Sequence, residues 1–225
     1  MHTDANIELK FAFVATEEAV RKIWERFSSI GSSVYSVLRC SDEASRHFES
    51  LESLLAYENP SRAAIESLEI SAHFQEHGKA MVVLASKSWE NKIEVRLQGE
   101  EREVMSLRSD LIDIFHGMRA WYTPVAVIRE SMLWFSTPAL LFFLYTFYKD
   151  HTIPSAVLGA SLAAIFVIWA AFRLRTRLFP HGTFAIGQGE KRHQLAEQIR
   201  WVVIVGLGVS LAGAAIWSVV TALRP

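Results

Sequence analysis

The sequence predicts an α+β cytoplasmic domain, an antiparallel sheet with helices on one face, followed by an all-α membrane region of three transmembrane helices. Three observations carry this. Period-two apolar runs separated by short gaps fill the first half of the 225-residue chain. The charge is split: residues 1–125 hold 14 Lys/Arg and 20 Asp/Glu, a net of −6, and residues 126–225 hold 9 and 4, a net of +5. Finally, Asp, Glu, Lys and Arg are missing from 151–172 and again from 201–223, on either side of a basic stretch at 173–200. The expected division is residues 1–122 for the domain and 123–225 for the membrane region.

Within the first half, Ile7, Leu9, Phe11 and Phe13 point one way with Glu8 and Lys10 between them, the mark of a half-buried strand. Thr16 is placed to cap a helix, with Glu17 and Glu18 in the first turn where the helix dipole favours acids. Ala19, Val20, Ile23, Trp24 and Phe27 follow at helical spacing. Residues 34–39 read as a second strand, and Ser50 caps a short helix that ends before Asn59-Pro60. Leu68, Ile70, Ala72 and Phe74 alternate again, followed by the apolar run 80–85 and by Ile93, Val95 and Leu97. Short gaps between such runs predict an antiparallel meander. Val104, Leu107, Leu111, Ile114, Phe115 and Met118 share one face of a closing helix.

In the second half, spans are expected at about 126–148, 152–172 and 201–222, since a bilayer helix needs about 20 mostly apolar residues. The Lys/Arg excess of 173–200 places that loop inside, with the N-terminus cytoplasmic and the C-terminus outside a multi-pass inner (plasma) membrane. Trp121, Tyr122 and Trp201 read as headgroup-level aromatics. Phe179 to Phe184 reads as an interfacial loop. Arg173, Arg175, Arg177, Lys191 and Arg192 are the expected contacts for anionic lipid headgroups. Small residues four apart suggest close helix packing, at Ser155, Gly159 and Ala163 on one span and at Gly206 with Ser210 and Gly208 with Ala212 on another. A homo-oligomer is the expected assembly.

The acidic balance of the first half argues against a nucleic-acid partner, whose phosphates need a basic face. The single cysteine, Cys40, excludes an intramolecular disulfide and suits a reducing compartment. No signal-peptide pattern opens the chain, so the domain is expected to stay inside. His73-x-x-Glu76-His77 matches a short zinc-protease pattern, but His73 falls in a period-two run and Gly78 follows at once. Two strand-and-turn histidines fit better than a helical metal site, and no metal or cofactor is expected. Cys40 has no evident base and reads as a small strand-end thiol. Gly187-Gln-Gly189-Glu-Lys191-Arg192 is weakly phosphate-like, yet lacks the P-loop pattern; a turn leading into a helix explains it as well. The expected function is a sensing or partner-binding domain on a membrane module that oligomerises, and in one extension forms a pore. The alternative is a membrane-anchored enzyme with its site in the domain or the basic stretch.

Overall fold

Alternation of apolar and polar side chains builds the main sheet, because a strand sends successive residues to opposite faces. The computed structural model describes residues 2–30, 33–74, 78–86, 93–127, 169, 173–175 and 177–222. Six strands form one antiparallel sheet: β1 (His2–Leu9), β3 (Ser33–Cys40), β4 (Ser45–Phe48), β5 (Ile65–Phe74), β6 (Gly78–Ala85) and β7 (Ile93–Glu100). Their spatial order is β1-β7-β6-β5-β3-β4. The expected meander is β5-β6-β7, with Leu68 opposite Leu84 and Val82 opposite Val95. Ile70, Val82, Leu84, Ile93 and Val95 are fully buried on the inner face.

That face is covered by α1 (Glu17–Ser28) and α3 (Glu101–Gly117). Thr16 caps α1, its hydroxyl accepting from the Ala19 N–H at 3.2 Å. The five apolar residues read from helical spacing are the five that α1 buries. Helix α3 buries Val104, Leu107, Leu111 and Phe115 against β7 and β1. The Arg26 guanidinium of α1 pairs with Asp110 of α3 and ties the two helices at their outer edge. Helix α2 (Leu51–Leu55) is capped by Ser50, as its sequence indicates.

After Leu9 the chain leaves the main sheet. Phe13–Thr16 forms a separate strand, β2, and its partner comes from far along the sequence. Residues read as an interfacial loop form β8 (Gly182–Ala185), which runs parallel to β2 with Val14 opposite Thr183 and Ala15 opposite Phe184. Phe184 and Ile186 join the same core as Phe13, Val20 and Phe27. On its other side, β2 bonds the turn after α3: the Val14 N–H donates to Met118 O at 2.9 Å, and the Ala120 N–H to Ala12 O at 2.8 Å.

Several expectations for the second half are corrected here. Among the described residues, no helix is long and apolar enough to cross a membrane. The three-span membrane region, and with it the multi-pass inner-membrane placement and its orientation, is corrected on that finding. The residues at the edges of the expected spans serve the fold instead. Ala126, expected to open the first span, closes the single turn α4 (Thr123–Ala126) and is buried with Ala12, Ala120 and Tyr122. The stretch 173–200, expected as a loop, contains β8 and the first turns of the last helix, α5 (Gln188–Ala222). Trp201, expected to open the third span, stacks on Trp121 of the domain. Almost all of 126–148 and 152–172, including Ser155, Gly159 and Ala163, lies outside the described residues.

The start of α5 is fixed by two glycines. Gly187 has φ +53°, a conformation that glycine adopts at little cost. At Gly189 a Cβ would lie 2.1 Å from Phe184 O and 2.3 Å from Asn59 Nδ2, so only glycine fits against the Asn59 turn. We predict that Gly189→Ala lowers unfolding stability by about 3 kcal/mol, the scale of a forced backbone shift. A Cβ at Gly206 in the same helix would meet nothing within 4 Å. Gly206→Ala is therefore expected to raise stability by about 0.5 kcal/mol through helix propensity. Denaturant midpoints followed by circular dichroism measure both.

Candidate binding site

A buried arginine organises the junction between α5 and the rest of the domain. Arg200 is 1 % exposed. A guanidinium taken out of water is tolerated only when its charge and its N–H groups are answered. Helix α5 supplies the charge three residues earlier: Nη1 of Arg200 donates to Glu197 Oε2 at 2.6 Å. Nε donates to the Leu178 carbonyl. The flat guanidinium lies 4.4 Å from the centre of the Tyr122 ring, a stacking a lysine would not reproduce. The other Glu197 oxygen accepts from Trp121 Nε1 at 2.6 Å. Trp121 stacks on Trp201 at 5.6 Å and meets Tyr122 edge-on at 5.7 Å. The chain Arg200–Glu197–Trp121 thus locks α5 onto the turn after α3.

Beside this network opens a cleft of about 730 Å³ between α1, α3 and α5. Buried Ala19 and Met118 contribute apolar surface, and exposed Glu18, Lys22, Asp113 and Arg119 contribute charge of both signs. Glu18 and Lys22 pair at 2.6 Å along α1. Tyr122, His193 and Glu197 complete the lining. Burial, and then the neighbouring Arg200 charge, push the His193 pKa below its ordinary value, which keeps the ring neutral at pH 7. Burial raises the Tyr122 hydroxyl, against the pull of Arg200 and of the nearby Thr183 hydroxyl. No hydrogen bond of proper geometry joins Tyr122 to Thr183. Both hydroxyls, and Nδ1 of His193, are buried without a partner.

A second, smaller cavity of about 240 Å³ is also lined by His193. Arg177, Arg192, Arg200 and Thr183 surround it. Arg192 is half-anchored, donating to Asn59 O at 2.7 Å and to Ser61 Oγ at 3.3 Å. Asn59 is itself buried and clamps β8, its amide donating to Phe184 O at 3.1 Å and Ile186 O at 3.2 Å.

Of the five basic residues singled out in the sequence, the structure brings two together, Arg177 and Arg192, at this cavity. Arg173 instead sits over the Trp169 ring at 5.7 Å, and Arg175 is buried with Nη1 donating to Val125 O at 3.3 Å. Lys191 is exposed on the first turn of α5. Gly206, Gly208 and Ser210 all fall in α5, where the Ser210 hydroxyl donates back to Gly206 O at 2.8 Å. The phosphate-like glycine turn is filled by protein. Its N–H groups donate to Glu17 Oε1 from Gly187 at 3.3 Å, to Glu58 O from Gln188 at 2.8 Å and to Ile186 O from Gly189 at 2.9 Å.

His73 lies exposed on β5, ring-stacked with Tyr35 at 6.0 Å, while Glu76 and His77 lie outside the described residues. Cys40 is buried at the end of β3, with its sulfur 3.5 Å from the Tyr57 hydroxyl. That hydroxyl donates to Ala63 O at 2.7 Å, so the thiol is the donor to it. Burial, then Cys40, push the Tyr57 pKa up to about 12.

Sequence reasoning missed Tyr122, His193, Glu197 and Arg200. A signal existed: His193, Glu197 and Arg200 fall at i, i+4 and i+7, one face of a helix.

Arg200→Met is expected to destabilise the protein by about 3 kcal/mol, because it strands the Glu197 carboxylate and the Leu178 carbonyl. Urea unfolding of the variant checks it. The His193 pKa is lower folded than unfolded, so its neutral form contributes stability that is present above the unfolded value near 6.5 and lost as pH falls below it. Between pH 7 and pH 5, wild type should therefore lose stability relative to His193→Gln, read from melting temperatures across that range. No family model, curated protein or solved structure shows a significant match to this chain.

Proposed function

We propose that the protein is a ligand-binding module whose site is the cleft between α1, α3 and α5. One observation carries the reading. Trp121 is 49 % exposed, yet its indole is fixed by the 2.6 Å bond to Glu197 and by the stack on Trp201. A large aromatic face held in place beside a concave surface loses little freedom when a ligand covers it. Tryptophan is also among the residues that most often dominate binding energy. The cleft volume is in the range of small-molecule sites. Its mixed charges favour a polar ligand with a flat or ring-bearing part that lies on Trp121.

Binding is preferred to catalysis because three of the cleft's polar groups, on Thr16, Glu18 and Glu197, already have protein partners. The Thr16 hydroxyl caps α1, the Glu197 carboxylate serves Trp121 and Arg200, and the Glu18 carboxylate pairs with Lys22. Cys40 is bonded to Tyr57 and is not among the cleft's lining residues. A hydrolytic or transfer site needs a nucleophile, a base and a stabiliser that converge on one reacting atom.

A thermal-shift screen of metabolites and short peptides on the full chain tests the proposal. Ligands that stabilise wild type are expected to bind Trp121→Ala about tenfold or more weakly, the cost of losing one well-placed aromatic contact. If Trp121→Ala and Asp113→Ala leave every ligand's affinity unchanged, the cleft is not the site.

A further inference from the structure

We infer that the smaller cavity beside β8 is an oxyanion site of the phosphate class, distinct from the cleft. Arg177, Arg192 and Arg200 line it, and no Asp or Glu is among its described lining residues. A cavity walled by three guanidiniums gathers positive potential that an anion relieves. Arg200 spends two of its N–H groups, on Leu178 O and Glu197, and Arg192 spends two on Asn59 O and Ser61. A guanidinium carries five N–H groups in a planar fork, so both keep donors for an incoming oxyanion, and the fork matches phosphate geometry.

A second, independent observation points to a missing ligand. The Thr183 hydroxyl and Nδ1 of His193 also belong to residues lining this cavity, and both atoms are buried with no hydrogen-bond partner. A buried polar atom left unpaired is costly, so two of them on residues that line one cavity point to something that satisfies them. A tetrahedral oxyanion accepts from the Thr183 O–H, from a neutral His193 that carries its proton on Nδ1, and from the arginines. Its charged groups come from the segment before β8 and from the second to fourth turns of α5, not from the N–H groups of the helix N-terminus, which are already taken. Inorganic phosphate and the phosphoryl group of a small phosphomonoester present the same chemistry here.

The test uses the full chain and isothermal titration with inorganic phosphate and, separately, glycerol phosphate, with sodium chloride holding the ionic strength constant. Wild type is expected to bind at least one of them at about millimolar Kd or tighter. Tighter binding of the ester than of inorganic phosphate assigns the site to phosphorylated ligands, and the reverse assigns it to free phosphate. Arg177 is exposed, so Arg177→Gln spares the fold; it should weaken binding about tenfold, the worth of one charge-assisted contact. Thr183→Val should weaken it severalfold while leaving the melting temperature of the anion-free protein unchanged or higher. Asp113→Ala, at an exposed cleft residue that neither lines this cavity nor belongs to the Arg200 network, should leave phosphate binding intact, so this site and the cleft can be told apart. No detectable phosphate or ester binding by wild type overturns the inference. So does equal binding by wild type, Arg177→Gln and Thr183→Val.

Discussion

A buried guanidinium has to be answered on every side, and the way Arg200 is answered sets the geometry of this domain's working end. Its charge is met by Glu197, its Nε by the Leu178 carbonyl and its face by Tyr122. Those three partners come from α5, from the segment before β8 and from the turn after α3. A charge that cannot remain unpaired thus fixes three remote pieces of chain at once. Because Glu197 also holds Trp121, the same constraint poses the aromatic surface at the mouth of the cleft. Stability and the candidate function therefore rest on one network of short contacts, in which positions are strongly coupled.

The segment 182–200 is a working part of the domain, not an appendage. Strand β2 holds only four residues and lies off the main sheet. Its pairing with β8 and its bond to Met118, with the Ala120 N–H donating to the carbonyl of Ala12 just before it, close a small sheet beneath the junction. Phe184 and Ile186 extend the core, and Asn59 clamps their carbonyls from the far side of the fold. Contacts of this kind, between residues more than 120 positions apart in sequence, are made late and lost early unless the whole unit is cooperative.

Much of the domain is legible in the sequence because local rules and the final fold agree there. The alternation of Leu68, Ile70 and Ala72, the Thr16 and Ser50 caps, and the apolar faces of α1 and α3 are each set by neighbours within a few residues. Strand β8 is not legible that way, since four residues carry no period and its partner lies about 170 positions earlier. The second half misled for a physical reason. Absence of charge suggests a preference for lipid, yet two residues at the edges of the uncharged stretches pack against protein: Ala126 is buried with Ala12, Ala120 and Tyr122, and Trp201 stacks on Trp121. Arginine in such a stretch suggests a solvent- or headgroup-facing side chain, whereas Arg175 and Arg200 are buried and Arg192 ties down the Asn59 turn. Of the candidate sites, the helical spacing of His193, Glu197 and Arg200 and the basic character of Arg177 and Arg192 are legible in the sequence, and nothing local indicates that Tyr122 completes the first.

The most direct test of this account is native-state hydrogen exchange of β8 and the first turns of α5, compared with the central strands β5 and β6. If 182–200 belongs to the same cooperative unit, its slowest amides will open with the same free energy and the same denaturant dependence as those of β5 and β6. Exchange of β8 with near-zero opening energy while β5 and β6 stay protected would contradict it. In that case Arg200 would not be the tie that holds the domain together.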